Sequence, residues 1–344
     1  MKTTIYQAKD LSETTVISHI KNTLHTGGLV VFPTETVYGI GANATDEKAV
    51  KSIFLAKGRP SDNPLIVHVS KESDIFLYIK DFPIIANQLM DHFWPGALTL
   101  IFNKNESIPY SVTGGLDTVA IRMPSHPIAK EVIRIANLPI CAPSANLSGK
   151  PSSTLFEHVR DDFFGKVDII IDGGKTNIGL ESTVLDITQP IPVLLRPGAV
   201  TKEMIEKVLD MVIIDGSEIE ITDTPKSPGM KYKHYAPKGE VILVDGKTEA
   251  LKNYFKHINE NEQSSRIGYI GVYEVIEQLN SPYKAYLGHL SDLNEIASNV
   301  FVALRQMDAL NVDKIYIHAI PKLALGKAIM NRLSKAANYH IIKL

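Results

Sequence analysis

Cysteine is almost absent from this chain: Cys141 stands alone among 344 residues. One thiol excludes an internal disulfide and suits a reducing compartment. Tryptophan is equally scarce. The single Trp94 sits in the turn Trp94-Pro95-Gly96, where packing is the expected use rather than ligand stacking. Neither sign of charge dominates, with 36 Lys and Arg against 38 Asp and Glu and a formal net charge of -2. Nothing in that balance favours wholesale binding of nucleic acid or membrane, although a local basic cleft is compatible with it. No apolar run approaches the roughly 20 residues of a membrane span, and Met1-Lys2-Thr3-Thr4 lacks the apolar core of a signal peptide. Internal repeats and low-complexity segments are missing. No His, Cys, Asp and Glu set has metal-ligand spacing, and no Ser–His–Asp arrangement or accessible thiol offers a covalent nucleophile. Together these features predict a soluble, cytoplasmic protein with no protein-built metal centre.

What is present is alternation of strands and helices over a length that favours two domains. Residues 1–214 read as one α/β domain and 240–344 as a smaller α/β domain with a mainly parallel sheet. The segment 215–239 joins them. It holds Pro225, Pro228 and Pro237, acidic residues first, then Lys231, Tyr232, Lys233, His234 and Tyr235. That second half is rich in chemistry for a spacer, so a lid over the first domain's site is expected. The C-terminal domain shows no glycine fingerprint after its first strand.

Three loops of the first domain concentrate functional groups. Asp46 to Ala56 has helical spacing at Val50, Ile53 and Phe54, and Gly58 and Pro60 end it. Lys57 and Arg59 therefore flank a helix end, a fitting place for a polyanion such as a triphosphate or equally a solvated turn. Leu65-Ile66-Val67 then forms a buried strand between Asn63 and His68. Pro33-Thr34-Glu35-Thr36-Val37-Tyr38-Gly39 places two hydroxyls, a carboxylate and a phenol at a strand end. Pro143 to Ser152 is dense in hydroxyls after another strand. It could serve a nucleotide or cap the helix through Phe156 and Val159. Alternation puts Thr118, Ala120 and Arg122 on one strand face. Arg122, at a buried strand's end, demands an anionic partner, either a structural Asp or Glu or a substrate carboxylate. Gly174-Lys175-Thr176 is no P-loop, because Ile169 stands where that motif needs its first glycine.

Taken together, Pro33–Gly39, Lys57-Gly-Arg59 with Asn63 and His68, Pro143–Gly149, Glu181-Ser-Thr183, Arg196-Pro-Gly198 and Ser227–Pro237 resemble the threonylcarbamoyl-AMP synthases of the YrdC-type family in their long two-domain form. The resemblance implies a twisted mixed α/β sheet for the N-terminal domain and a Rossmann-like C-terminal domain behind a lid-like linker. It implies a nucleotidyltransferase that makes threonylcarbamoyl-AMP and pyrophosphate from L-threonine, bicarbonate and ATP. The product would pass to a tRNA threonylcarbamoyl transferase complex, and a weak contact with tRNA fits the same role. Carried over residue by residue, Thr36, His68, Arg122, Ser182 and the Ala142 backbone would line the threonine site. Arg59, Asn63, Thr118, Ser144, Ser152 and Arg196 would hold ATP, with Lys57 near the phosphates and His234 and Tyr235 closing over the nucleotide. Lys57, Arg59 and Arg196 would offset the charge that develops on pyrophosphate, with Mg²⁺ held mainly through the phosphates. The rival reading is an RNA-binding module with a basic concave surface and no chemistry.

Overall fold

The computed structural model describes residues 1–61, 63–217, 235–262 and 266–344. His234 and most of the expected linker lie outside them. The chain divides into two compact units. The first comprises Met1–Ser148, Ser153–Asn177 and Glu181–Lys231, and the second Gly149–Ser152, Ile178–Leu180 and Tyr232–Leu344. Two short pieces of the N-terminal sequence thus belong to the C-terminal unit, which a division at 214 and 240 does not capture. No helix among the described residues is long and apolar enough to cross a membrane.

The strands of the first unit are β1 (Thr4–Gln7), β2 (Val30–Pro33), β3 (Tyr38–Asn43), β4 (Ile66–His68), β5 (Leu98–Asn103), β6 (Thr118–Arg122), β7 (Ile140–Cys141), β8 (Ile169–Asp172), β9 (Thr183–Asp186), β10 (Val193–Arg196) and β11 (Ile214–Asp215). They form one mixed sheet in the order β1-β8-β2-β3-β7-β4-β6-β5-β9-β10-β11. Its helices are α1 (Thr14–His25), α2 (Glu47–Lys57), α3 (Ile85–Phe93), α4 (Tyr110–Thr113), α5 (Pro127–Ala136), α6 (Phe156–Phe163) and α7 (Lys202–Leu209).

Helix α2 shows how local sequence sets this framework. The Asp46 carboxylate accepts from the amides of Lys48 and Ala49 and caps the helix start. Ala49, Val50, Ile53 and Phe54 bury one face. Gly58, at φ 60° and ψ 40°, then turns the chain in the left-handed region, and the Arg59 amide returns to the Phe54 carbonyl at 2.9 Å. Thr201 caps α7, its side chain accepting from the Met204 amide. Helix α6 differs. It starts after Leu155 without a side-chain cap, so the hydroxyls of the 143–152 loop do not cap it.

Side chains alternate across a strand, so the pairing register assigns each residue to a sheet face. One face is packed along its length. Val31, Ile40, Val67, Leu100, Val119, Ile121, Ile170 and Leu185 meet apolar residues of α2, α3, α4, α6 and α7. The opposite face is divided. Its β1-side half carries Val30, Phe32, Ile140, Ile169 and Ile171 beneath α1 and α5. Among the described residues, the other half carries a small apolar cluster, Ile66, Ile101, Ala120 and Val184, with no helix residue in it.

The second unit is built on β12 (Glu240–Asp245), β13 (Ile267–Val272), β14 (Lys284–Gly288), β15 (Lys314–His318) and β16 (Ile341–Lys343). These pair in the order β14-β13-β15-β12-β16, and every pair is parallel. Its helices are α8 (Thr248–Asn261), α9 (Tyr273–Ile276), α10 (Leu293–Ala309) and α11 (Leu325–Ala336). A Cβ on Gly268 would meet Met307 of α10, and one on Gly271 would meet Ile276 of α9. Those positions lie on opposite faces of β13, so helices cover this sheet on both sides.

Candidate active site

The half-face without a helix gathers most of the expected residues of the first unit. Register sets His68 beside Arg122 on β4 and β6, and Ala120 beside Ile66 and Ile101. Thr99 on β5 lies beside Val184 on β9, which opposes Arg196 on β10. A register irregularity between Leu194 and Arg196 lets Leu195 and Arg196 both face Val184. Arg122 is 3% exposed and Arg196 5% exposed, so both cations are removed from bulk water.

Arg122 has its anion within the chain. Its Nη2 meets Glu35 Oε1 at 2.6 Å, Nη1 donates to Thr36 Oγ1 at 2.9 Å, and Nε donates to the Gly96 carbonyl at 3.0 Å. The choice left open by the sequence is therefore filled first by Glu35. Thr34 Oγ1 donates to the Val37 carbonyl at 2.6 Å, so Thr36 Oγ1 supplies the hydrogen between the two threonines, 2.8 Å apart. Burial works to raise the Glu35 pKa, but the charge and hydrogen bonding of Arg122 outweigh it, aided by backbone amides. The carboxyl consequently sits below its ordinary value.

His68 is 3% exposed, and its Nδ1 lies 3.1 Å from the Ile66 carbonyl. Loss of solvent, and then the Arg122 charge, push its pKa down to about 3. The ring is neutral at physiological pH, which makes it a weak proton acceptor and a good hydrogen-bonding wall.

A second polar group surrounds Ser182. Its Oγ lies 2.7 Å from Thr99 Oγ1 and accepts from Arg196 Nη2 at 3.1 Å, and Arg196 Nε donates to its carbonyl at 2.9 Å. Thr99 was not singled out in the sequence. A hydroxyl inside the apolar strand Leu98-Thr-Leu-Ile-Phe102 was the available signal.

Lys57 is buried, with Nζ donating to the carbonyls of Ser144 and Asn146, the latter at 2.6 Å. This ties the end of α2 to the 143–149 loop. Ser144 Oγ donates to Asn146 Oδ1 at 2.6 Å within that loop. Asn63 is wholly buried, and neither polar atom of its carboxamide has a hydrogen-bond partner among the described residues. A buried amide in that state is what a ligand's donor and acceptor would satisfy. Arg59 is half-buried just past Gly58, and Thr118 opens β6 opposite Asn103. The Ala142 amide donates to the Ile66 carbonyl at 2.9 Å, which leaves its carbonyl as the backbone group to offer. Cys141 is buried, and loss of solvent pushes its thiol up to about 12, so it is no nucleophile.

Ser152 and Tyr235 belong to the second unit. There Arg305 Nε and Nη2 donate to the Pro151 carbonyl at 3.1 and 2.8 Å, and the Ala236 amide donates to Gly149 at 3.0 Å. Tyr235, buried at φ 64°, lies on Phe301 with ring centroids 5.2 Å apart. His234 lies outside the described residues. Among the described residues, no group of three or more His, Cys, Asp or Glu could hold a metal ion.

Comparison with known proteins gives the family. The family described as "Telomere recombination", Sua5_yciO_yrdC, matches residues 22–198, and the family described as "Threonylcarbamoyl-AMP synthase, C-terminal domain" matches residues 200–338. The chain is 50% identical over 323 residues to a threonylcarbamoyl-AMP synthase of Pyrococcus abyssi, covering 92% of this chain and 93% of that one. It is 47% identical over 317 residues to the synthase of Bacillus subtilis, covering 92% and 91%. The crystal structure of P. abyssi Sua5 complexed with L-threonine superposes with a TM-score of 0.93 at 46% identity, covering 100% of both chains. Enzymes of adenylate synthesis, not a bare RNA-binding module, are thus its relatives: the chain belongs to the threonylcarbamoyl-AMP synthase family in its two-domain form.

Proposed function

We propose that this chain makes threonylcarbamoyl-AMP and pyrophosphate from L-threonine, bicarbonate and ATP, for use by a tRNA threonylcarbamoyl transferase complex. The observation that carries the reading is the helix-free half-face, where Arg122 and Arg196 are buried among hydroxyls inside the segment that the family matches. P. abyssi Sua5 binds L-threonine, and its fold is shared along the whole chain. Threonine lies against Thr36, His68, Arg122, Ser182 and the Ala142 carbonyl. Arg59, Asn63, Thr118, Ser144 and Arg196, all in the first unit, take ATP. Lys57 acts by fixing the 143–149 loop that offers Ser144.

The threonine amine takes up carbon from bicarbonate, releases water and becomes N-carboxythreonine. Its new carboxylate attacks the α-phosphorus of ATP; the bond from that phosphorus to the bridging oxygen breaks, and pyrophosphate leaves. Arg59 and Arg196 balance the charge that moves to the leaving oxygens. Both the carbamate and its mixed anhydride decompose in water, so a site that excludes water preserves them. Mg²⁺ would accompany ATP as its counterion, held mainly through the phosphates. One buried free thiol suits work in the reducing cytoplasm, where tRNA is modified.

Pyrophosphate release tests the reading. Release that needs both threonine and bicarbonate is expected. Release with threonine alone would make the chain an aminoacyl-adenylating enzyme, and no release under any combination would end the proposal.

A further inference from the structure

Arg122 and Glu35 form a fixed dipole at the edge of the site. The guanidinium is held from three sides, by Gly96, Thr36 and Glu35. The carboxylate is held as well, with backbone amides of its own residue and of Ser125 among its partners. Its Oε1 meets Arg122, and its Oε2 receives the His126 amide at 3.4 Å. Both side chains are more than nine-tenths buried, where charges act strongly on one another and on any ligand.

A carboxylate this close to Arg122 is unfavourable for binding a simple anion, since a second carboxylate would feel Glu35 as well as the cation. A zwitterion resolves the conflict. An α-amino acid carries an ammonium two bonds from its carboxylate carbon, so its own dipole can lie antiparallel to the Arg122–Glu35 dipole. We infer that Glu35 is a specificity-determining residue: paired with Arg122, it reads the ammonium of the amino-acid substrate and rejects carboxylates that lack one. This rests on the reading that the Arg122 pocket takes L-threonine. It separates two tasks that one arginine cannot perform, because Arg122 alone would hold any small hydroxy acid.

The neighbours on this wall fit the same logic. His68 stands beside Arg122 and stays neutral, so it adds no second cation to favour bare anions. Thr36 has its hydrogen directed to Thr34 and receives Arg122 Nη1, so it too offers no charge. Glu35 is the ionised acid at this place, and the selectivity should therefore follow its charge.

The experiment compares L-threonine with (R)-3-hydroxybutyrate, the same skeleton without the amine, by calorimetric titration of the full chain. The wild type should bind threonine at least tenfold more tightly. Glu35→Gln keeps the size and a hydrogen-bonding oxygen but removes the charge. It should weaken threonine at least tenfold and strengthen 3-hydroxybutyrate severalfold, two shifts of opposite sign that general loss of structure would not produce. Glu35→Asp retains the charge and should keep the wild-type order of preference. Parallel shifts for both ligands, or none, in Glu35→Gln would overturn the inference while leaving the pocket's assignment intact. Comparable binding of the two ligands by the wild type would overturn it even if Glu35→Gln failed to fold. A wild type that binds no threonine at millimolar concentration would instead overturn the assignment of the pocket, and the inference with it.

Discussion

His68 makes the stability of the first unit sensitive to mild acid. In the unfolded chain a histidine takes up its proton near pH 6.5, whereas in the folded chain His68 resists protonation down to about 3. Between those values the unfolded state binds more protons. Stability is therefore complete above roughly pH 6.5 and falls as the pH drops toward 3, at about 1.4 kcal/mol per pH unit. Moving from about pH 7.5 to 5 should cost about 2 kcal/mol through this group alone. Glu35 extends the loss at lower pH. Its folded pKa lies below the ordinary 4.5, so its contribution is present above 4.5 and fades as the pH falls through the folded value. The single tryptophan, Trp94, is buried in the same unit with its indole N–H on the Leu98 carbonyl, and its fluorescence reports unfolding there. Urea titrations at the two pH values, on the wild type and on His68→Gln, isolate the effect. His126, half-buried and also depressed by loss of solvent, contributes equally to both proteins and cancels. The wild type should lose about 2 kcal/mol more than His68→Gln over the interval. Equal losses would show that His68 does not titrate as its surroundings dictate.

Two glycines should respond differently to alanine, as thermal melts would show. A Cβ on Gly41 would stand 2.6 Å from Phe32 Cε1 and 2.8 Å from Ile140 Cγ2, an overpacking worth about 1–3 kcal/mol. Gly58→Ala meets open space and only the strain of φ 60°, about 1 kcal/mol. Arg196→Lys replaces the fork on Ser182 with a single ammonium. Pyrophosphate release should fall at least tenfold in kcat/KM, corresponding to one charge-assisted bond of about 1.5–3 kcal/mol, without a matching loss of melting temperature. Lys57→Met leaves the Ser144 and Asn146 carbonyls without that donor and loosens their loop. Its KM for ATP should rise about tenfold while threonine affinity stays within about twofold, and equal loss of both would place Lys57 in a wider role.

Local order was legible in the sequence wherever the cause was local. The apolar stripe of α2 and the stop at Gly58 lie close together in the chain, and both were readable. The alternation that set Arg122 apart from Val119 and Ile121 was readable too, and the packed core follows it. The partner of Arg122 was not. Glu35 lies far away in sequence and reaches it only through the pairing of β4 with β6 and the turn between β2 and β3. Lys57 drew attention as a cation near phosphates, yet its Nζ reaches two carbonyls on a loop nearly ninety residues on. Thr99 was passed over inside an apolar run, because a hydroxyl in a strand names no partner until its neighbours in space are known. The capture of Gly149–Ser152 by the second unit is likewise a non-local choice, made by Arg305 and Ala236.

Topology explains why the polar residues had a place to gather. Parallel neighbours need long crossovers, which lay a helix on the sheet, whereas antiparallel neighbours can be closed by short turns. On the β1 side, parallel pairing of β8 with β1 and β2 accompanies α1 and α5, and these cover that half of the face. On the other side β5 with β6 and β9 with β10 are antiparallel. The chain between β5 and β6 contributes only α4, whose Val112 joins the opposite core, and the turn between β9 and β10 is too short for a helix. The long connection before β5 and the chain after β10 place α3 and α7 on that opposite core as well. Among the described residues of the first unit, no connection delivers an apolar helix to the half-face of β4, β6, β5, β9 and β10. Strand-end cations can survive there because loops, not helices, complete their surroundings: the turn Thr34-Glu35-Thr36 for Arg122, and the segment at Ser182 for Arg196. Loops bring hydroxyls, carbonyls and a carboxylate where a helix would bring leucines, so the strand pairing that omits two crossovers also sets the chemistry of the site.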